Sequence, residues 1–105
     1  MTITVDDVAE WAGITLSATD EAHLAACIAG LYDAAGDLYT FPSAPDSDQI
    51  DRIDTAFKLA ALRLWRRRQT PEGVAEFGDY GPIRILRFDP DVDALLGRWR
   101  QTGLA

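Results

Sequence analysis

From Asp48 to Gln69 the sequence carries a helical pattern without interruption, and nothing else in the chain limits the fold as much. At 1.5 Å per residue this helix would run about 33 Å. Asp46, Ser47 and Asp48 offer N-cap oxygens, Asp51 lies in the first turns, and Arg66, Arg67 and Arg68 lie in the last. Acids and bases therefore stand in the order the helix dipole favours at both ends. Ile50, Ile53, Phe57, Ala60, Ala61 and Leu64 form one stripe at three- and four-residue spacing. Leu59 and Leu62 fall on nearly the opposite side, beside Thr55 and Arg66. A helix that is apolar on two faces must be covered from two directions. Another part of the same chain or a neighbouring subunit would meet that need.

The flanking sequence supplies shorter helices. Val5, Val8 and Ala12 share a face of a helix over 5–12, with Thr4 as N-cap, Asp6 and Asp7 in the first turn, and Gly13 as its stop. Trp11 lies near that stripe. Leu24, Ile28, Leu31, Ala35 and Leu38 mark a second helix, starting at Thr19 or Asp20 and running to Ala35, with Gly36 expected to end it. Gly30 inside that stripe costs about 1 kcal/mol of helix propensity, which a closely crossing helix would explain. Tyr39 to Asp48, with Pro42, Ser43, Pro45 and Ser47, reads as a rather stiff loop.

Beyond Thr70-Pro71 the chain becomes irregular through Gly73, Gly78 and Gly81-Pro82. Ile83 to Phe88 is rich in β-formers and partly alternating, so a short extended piece is expected, and it would need a partner segment. Asp89 is the N-cap of a last helix with Pro90 at its first position, running to about Gln101 and placing Val92, Leu95, Leu96 and Trp99 on one face. The expected fold is all-α: a single domain over 1–105, a small bundle of about four helices (about 5–12, 20–35, 48–69 and 90–101) with an irregular arm and one short extended segment at about 83–88.

With 105 residues there is room for one domain. The net charge of -7 is unevenly spread. Met1 to Asp51 holds ten acids and no Lys or Arg, whereas Arg52 to Ala105 holds seven acids and ten bases, a local net of +3. A solvated acidic surface accounts for this, and so does head-to-tail association of identical subunits, acidic face against basic. The lone Cys27 cannot form an internal disulfide and fits a buried thiol in a reducing compartment. No signal-peptide pattern opens the chain, and no apolar run approaches the ~20 residues that span a bilayer, so no membrane association is expected.

Residues for chemistry are sparse. His23 has no second ligand type at metal spacing, no nucleophile motif accompanies it, and the glycines between Gly73 and Gly81 form neither a phosphate loop nor a dinucleotide fingerprint. The acid pairs Asp6-Asp7 and Asp20-Glu21 stand at helix starts, where capping explains them. The expectation is therefore no catalytic residue, no metal, no cofactor and no enzyme activity. Arg66, Arg67 and Arg68 beside Trp65, with Arg84, Arg87, Arg98 and Arg100, would suit either a phosphate-binding patch or a cation-rich helix end. The overall negative charge weighs against nucleic acid.

The run Ala60-Ala61-Leu62-Arg63-Leu64-Trp65-Arg66-Arg67-Arg68, followed by Thr70-Pro71-Glu72-Gly73-Val74, resembles the head-to-tail connector (adaptor) proteins of tailed bacteriophages. So do Phe77-Gly78-Asp79-Tyr80-Gly81-Pro82-Ile83-Arg84-Ile85, Asp89-Pro90-Asp91-Val92 and Leu95-Leu96. The similarity touches nearly the whole chain, and its specific part lies between Leu59 and Trp99. The resemblance implies a structural virion protein, at the head-tail interface of the virion and in the host cytoplasm during assembly. Its subunits would form a ring, dodecameric by family, beneath the portal protein. The ring would extend the DNA channel without binding DNA specifically and would offer a docking surface to head-closure (stopper) or tail proteins.

On that reading Trp65, Arg66, Arg67, Arg68, Pro71, Glu72 and Gly73 make one assembly region, and Arg84, Arg87, Trp99 and Arg100 another. Leu59 and Leu62 would meet a neighbouring subunit. The arginines would pair with a partner's acids, while ordinary core packing would serve Trp65 and Trp99 equally well. Two other functions compete: a small nucleic-acid-binding regulator using the arginines, and a generic helical protein-interaction module.

Overall fold

The computed structural model describes residues 2–68 and 80–101. Five α-helices occur among them: α1 (Val5–Ala12), α2 (Ala18–Leu38), α3 (Ser47–Arg68), α4 (Tyr80–Phe88) and α5 (Pro90–Leu96), followed by a 3-10 turn at Gly97–Trp99. The fold is a small all-α bundle, as the sequence pattern leads one to expect. The expected irregular arm lies outside the described residues up to 79, Pro71, Glu72 and Gly73 included, but Gly81 and Pro82, expected in that arm, belong to the first turn of α4.

Local chemistry fixes several boundaries. In α1 the Asp7 amide donates to Thr4 Oγ1 at 3.1 Å and the Thr4 amide donates to Asp7 Oδ2 at 2.8 Å, a reciprocal capping box. Gly13 ends the helix at φ 69, a left-handed backbone that glycine adopts without steric cost. Of the three candidate caps for α3, Asp46 serves: its carboxylate accepts from the Gln49 amide at 2.8 Å, and Gln49 Oε1 accepts from the Asp46 amide. Asp89 caps α5 by accepting from the amides of Asp91 and Val92, with Pro90 at the first position.

The second helix is longer than its pattern suggests. It starts at Ala18 behind the Ser17 N-cap and continues through Gly36 to Leu38. The extra turn carries Tyr39 into the core, where it is 3% exposed and its hydroxyl donates to the Leu86 carbonyl at 2.8 Å. That buried hydrogen bond outweighs the helix-breaking tendency of Gly36.

The segment 83–88 is not extended. It belongs to α4, an α-helix whose Ile85 and Leu86 are buried. Its apolar residues Ile83, Ile85, Leu86 and Phe88 are also three apart in pairs, so one set of residues fits either period. Burial against α2 and α3 decides for the helix over the β preference of isoleucine. The last helix is also shorter than expected: α5 ends at Leu96, and after the 3-10 turn Arg100 makes an isolated antiparallel bridge with Tyr39. The Thr40 amide donates to the Trp99 carbonyl at 2.8 Å and the Gln101 amide to the Leu38 carbonyl at 3.0 Å. These groups at the end of α2 hold Arg100, whose backbone is extended, and Gln101 against the bundle.

α3 lies against each of the other four helices. Ala56, Phe57, Ala60, Ala61, Leu62 and Leu64 are buried along it. Both of its apolar faces are thus largely satisfied within the chain, because α4 and α5 return to pack on the helix that α1 and α2 already cover. An aromatic run crosses the core. Tyr32 stacks on Phe57 with centroids 4.0 Å apart, and Phe41 meets both Phe57 and Trp99 edge-on.

Candidate functional site

The end of α3 and the end of α4 meet at a corner that joins residues from both expected assembly regions. Arg67 and Arg84 line one cleft together with Ile85, Phe88, Asp89 and Pro90, enclosing about 270 Å³. Phe88, the last residue of α4, is 72% exposed. The Arg87 guanidinium lies 6.0 Å from the Phe88 ring centroid, within reach of a cation–π contact. Arg66, Arg84 and Arg87 are exposed and Arg67 is half-buried. Helical spacing produces this arrangement: Arg84 and Phe88 are four residues apart on α4 and so share a face. The corner therefore offers an exposed aromatic side chain with a guanidinium beside it and two more in the adjoining cleft, a surface suited to an acidic partner with an apolar hollow.

Beneath the corner lies an ion-pair network that sequence reasoning missed. Arg63 donates through Nη1 to the Asp89 carboxylate and through Nη2 to Asp91 Oδ2, the latter at 2.7 Å. Asp89 at once caps α5 and anchors Arg63, tying α3 to α5. Burial pushes the Asp89 carboxyl up, but the Arg63 hydrogen bond, the Val92 amide, the Arg63 charge and the Asp91 amide together hold it below its ordinary value. The partners are 26 residues apart, so no local spacing signals the pair.

Leu59, Leu62, Trp65, Trp99 and Arg100, also expected at an interface, serve the chain's own packing. Leu62 is 7% exposed and Leu59 half-buried against the core, so Leu62 has no surface to give a neighbouring subunit. Trp65 and Trp99 are half-buried and pack against the core. Arg100 donates to Asp93 Oδ1 at 2.6 Å and to the Leu86 carbonyl at 3.3 Å, and its guanidinium sits 5.7 Å from the Tyr39 ring centroid. It latches the C-terminal segment across α4 and α5 instead of facing outward with Arg87. Cys27 is buried, and His23 is half-buried on α2. Among the described residues no group of three or more His, Cys, Asp or Glu is placed to hold a metal ion, and no helix is long and apolar enough to cross a membrane.

A second surface feature sits far along the sequence. Thr4, Val5, Asp6, Ala18, Glu21, Ala22 and Ala25 line an open hollow of about 510 Å³ between the starts of α1 and α2. Its walls are small apolar side chains, with the exposed carboxylates of Asp6 and Glu21 beside them. No protein-family model, curated protein or solved structure matches the chain.

Proposed function

We propose that this chain is a structural subunit of a tailed-phage head-to-tail connector, which docks through the cationic corner of α3 and α4 onto neighbouring chains of the particle, copies of itself among them, and catalyses nothing. The observation that carries the reading is the corner itself, where Arg67 and Arg84 line a cleft with the exposed Phe88 and Arg87 lies beside its ring. These residues lie within or next to the runs that resemble connector proteins. Phenylalanine and arginine are both enriched at protein interfaces relative to the rest of the surface. On this reading the subunits assemble as a ring beneath the portal protein, with head-closure or tail proteins docking below. The acid-rich half keeps passing DNA from adhering, because like charges repel.

The test is to mix the protein with its cognate portal and image the product by electron microscopy, where a discrete ring on the portal is expected. Arg66→Glu with Arg67→Glu should leave the circular dichroism spectrum and monomer intact while abolishing that complex. An unchanged complex would refute the assignment of the arginines, and no complex with the wild type would refute the connector. The same arginines favour a second reading, a nucleic-acid binder. Salt-dependent binding to random duplex DNA would support it, and no binding at low salt would remove it.

A further inference from the structure

We propose that Phe88 and its flanking arginines form the knob of a self-association contact, whose socket is the acid-edged hollow between α1 and α2 of a second copy of this chain. The proposal rests on the connector reading for its biological use and names the copy-to-copy contact that reading leaves open.

The two surfaces carry opposite charges, and the open hollow has room for an aromatic ring. The knob is a projecting aromatic ring with Arg87 beside it and Arg84 one helical turn behind. The hollow has walls of Val5, Ala18, Ala22 and Ala25, whose short side chains leave room for a ring, and it carries Asp6 and Glu21. An aromatic side chain entering such a depression loses its water contact while Arg87 beside it reaches a carboxylate at the edge. The chain's charge division acts in the same direction. No Lys or Arg occurs before Arg52, so the hollow sits in the half with ten acids and the knob in the half with a net +3. A second copy thus presents to the knob the opposite charge at long range as well as at contact.

Knob and hollow are different surfaces, so the contact is heterologous. One subunit can give its knob to the next and receive the knob of the one before, a pattern that either closes into a ring or continues as a filament. A nucleic acid on the same corner would gain from the arginines but would meet the field of a chain with net charge -7.

Complementation tests the idea directly. The knob is removed by Phe88→Ser with Arg87→Glu. The hollow is blocked separately by Ala22→Trp, at an exposed helical position, and by Asp6→Asn with Glu21→Gln. Sedimentation velocity at low salt, up to about 1 mM protein, should show wild-type association that salt suppresses, and should show each variant alone as a monomer. Knob-less and Ala22→Trp proteins mixed in equal amounts should form a 1:1 heterodimer and nothing larger, since only one intact contact remains. A wild type that stays monomeric throughout, a knob-less variant that associates like the wild type, or a mixture that remains monomeric would each overturn the proposal. Binding of random DNA lost with Phe88→Ser and Arg87→Glu, without self-association, would overturn it in favour of nucleic acid. If the knob-less variant still builds a complete ring on the portal, this contact is wrong while the connector stands.

Discussion

Asp89 has two roles that can be separated by substitution. Its carboxylate accepts the first amides of α5 and holds Arg63 of α3, with its own side chain 10% exposed. Asparagine caps a helix about as well as aspartate, so Asp89→Asn removes the charge from Arg63 and leaves the cap. Arg63 keeps 37% of its side-chain surface in solvent, which places the pair nearer to surface values, about 1 kcal/mol. Asp89→Ala loses the cap as well, for a total of about 2 kcal/mol. Urea denaturation at neutral pH should rank wild type, Asn and Ala in that order. Because the folded carboxyl is held below its ordinary value, its contribution is fully present above the unfolded value of roughly 4 and fades as pH falls through the lower folded one. The wild type's advantage over Asp89→Asn should therefore shrink once the pH drops below about 4. An advantage undiminished in strong acid would show that Arg63 does not lower this carboxyl.

At the scale of elements, the parts legible in the sequence were those with a local cause. Thr4 with Asp7, Gly13, and Asp89 with Pro90 set boundaries within one turn of the chain, and the structure uses each as its spacing suggests. What could not be read depended on distant partners. Tyr39 lengthens α2 by reaching Leu86, 47 residues away, and α4 is a helix because α2 and α3 bury Ile85 and Leu86. The candidate corner was half legible for the same reason. Its arginines stood out by composition, but that Arg67 and Arg84 share a cleft, and that Arg100 does not join them, follows from the packing of α4.

The expectation of a close crossing at Gly30 does hold: a Cβ there would lie 3.1 Å from Pro82 Cγ, on α4. Gly30→Leu must push α4 off α2 and should cost about 2 kcal/mol. Gly36, inside the same helix with nothing within 4 Å of a built Cβ, is the control. Gly36→Ala should stabilise by about 0.5 to 1 kcal/mol. Thermal unfolding of the two variants compares them in one experiment, and a neutral Gly30→Leu would mean that the crossing is loose.

At the scale of the molecule, α3 makes the bundle a single cooperative unit, because each of the other four helices lies on it. The sequence announced a helix needing cover on two sides but could not say from which chain the cover came. Phe57 stands where these contacts converge: 1% exposed, stacked on Tyr32 of α2 and edge-on to Phe41, which in turn meets Trp99. Phe57→Ala should cost about 4 kcal/mol, a large share of the 5–15 kcal/mol that holds a typical domain folded. The melting temperature should fall by roughly 20 °C, with near- and far-ultraviolet circular dichroism lost together, since each of the other described helices packs on α3. Phe88 is the same residue type in the opposite situation, 72% exposed at the end of α4. Phe88→Ala should change stability by no more than about 0.5 kcal/mol. The contrast separates a packing role from a docking role without any partner at hand. If the two alanine variants lose comparable stability, Phe88 belongs to the core of the folded chain in solution, and the corner is not a surface for another protein.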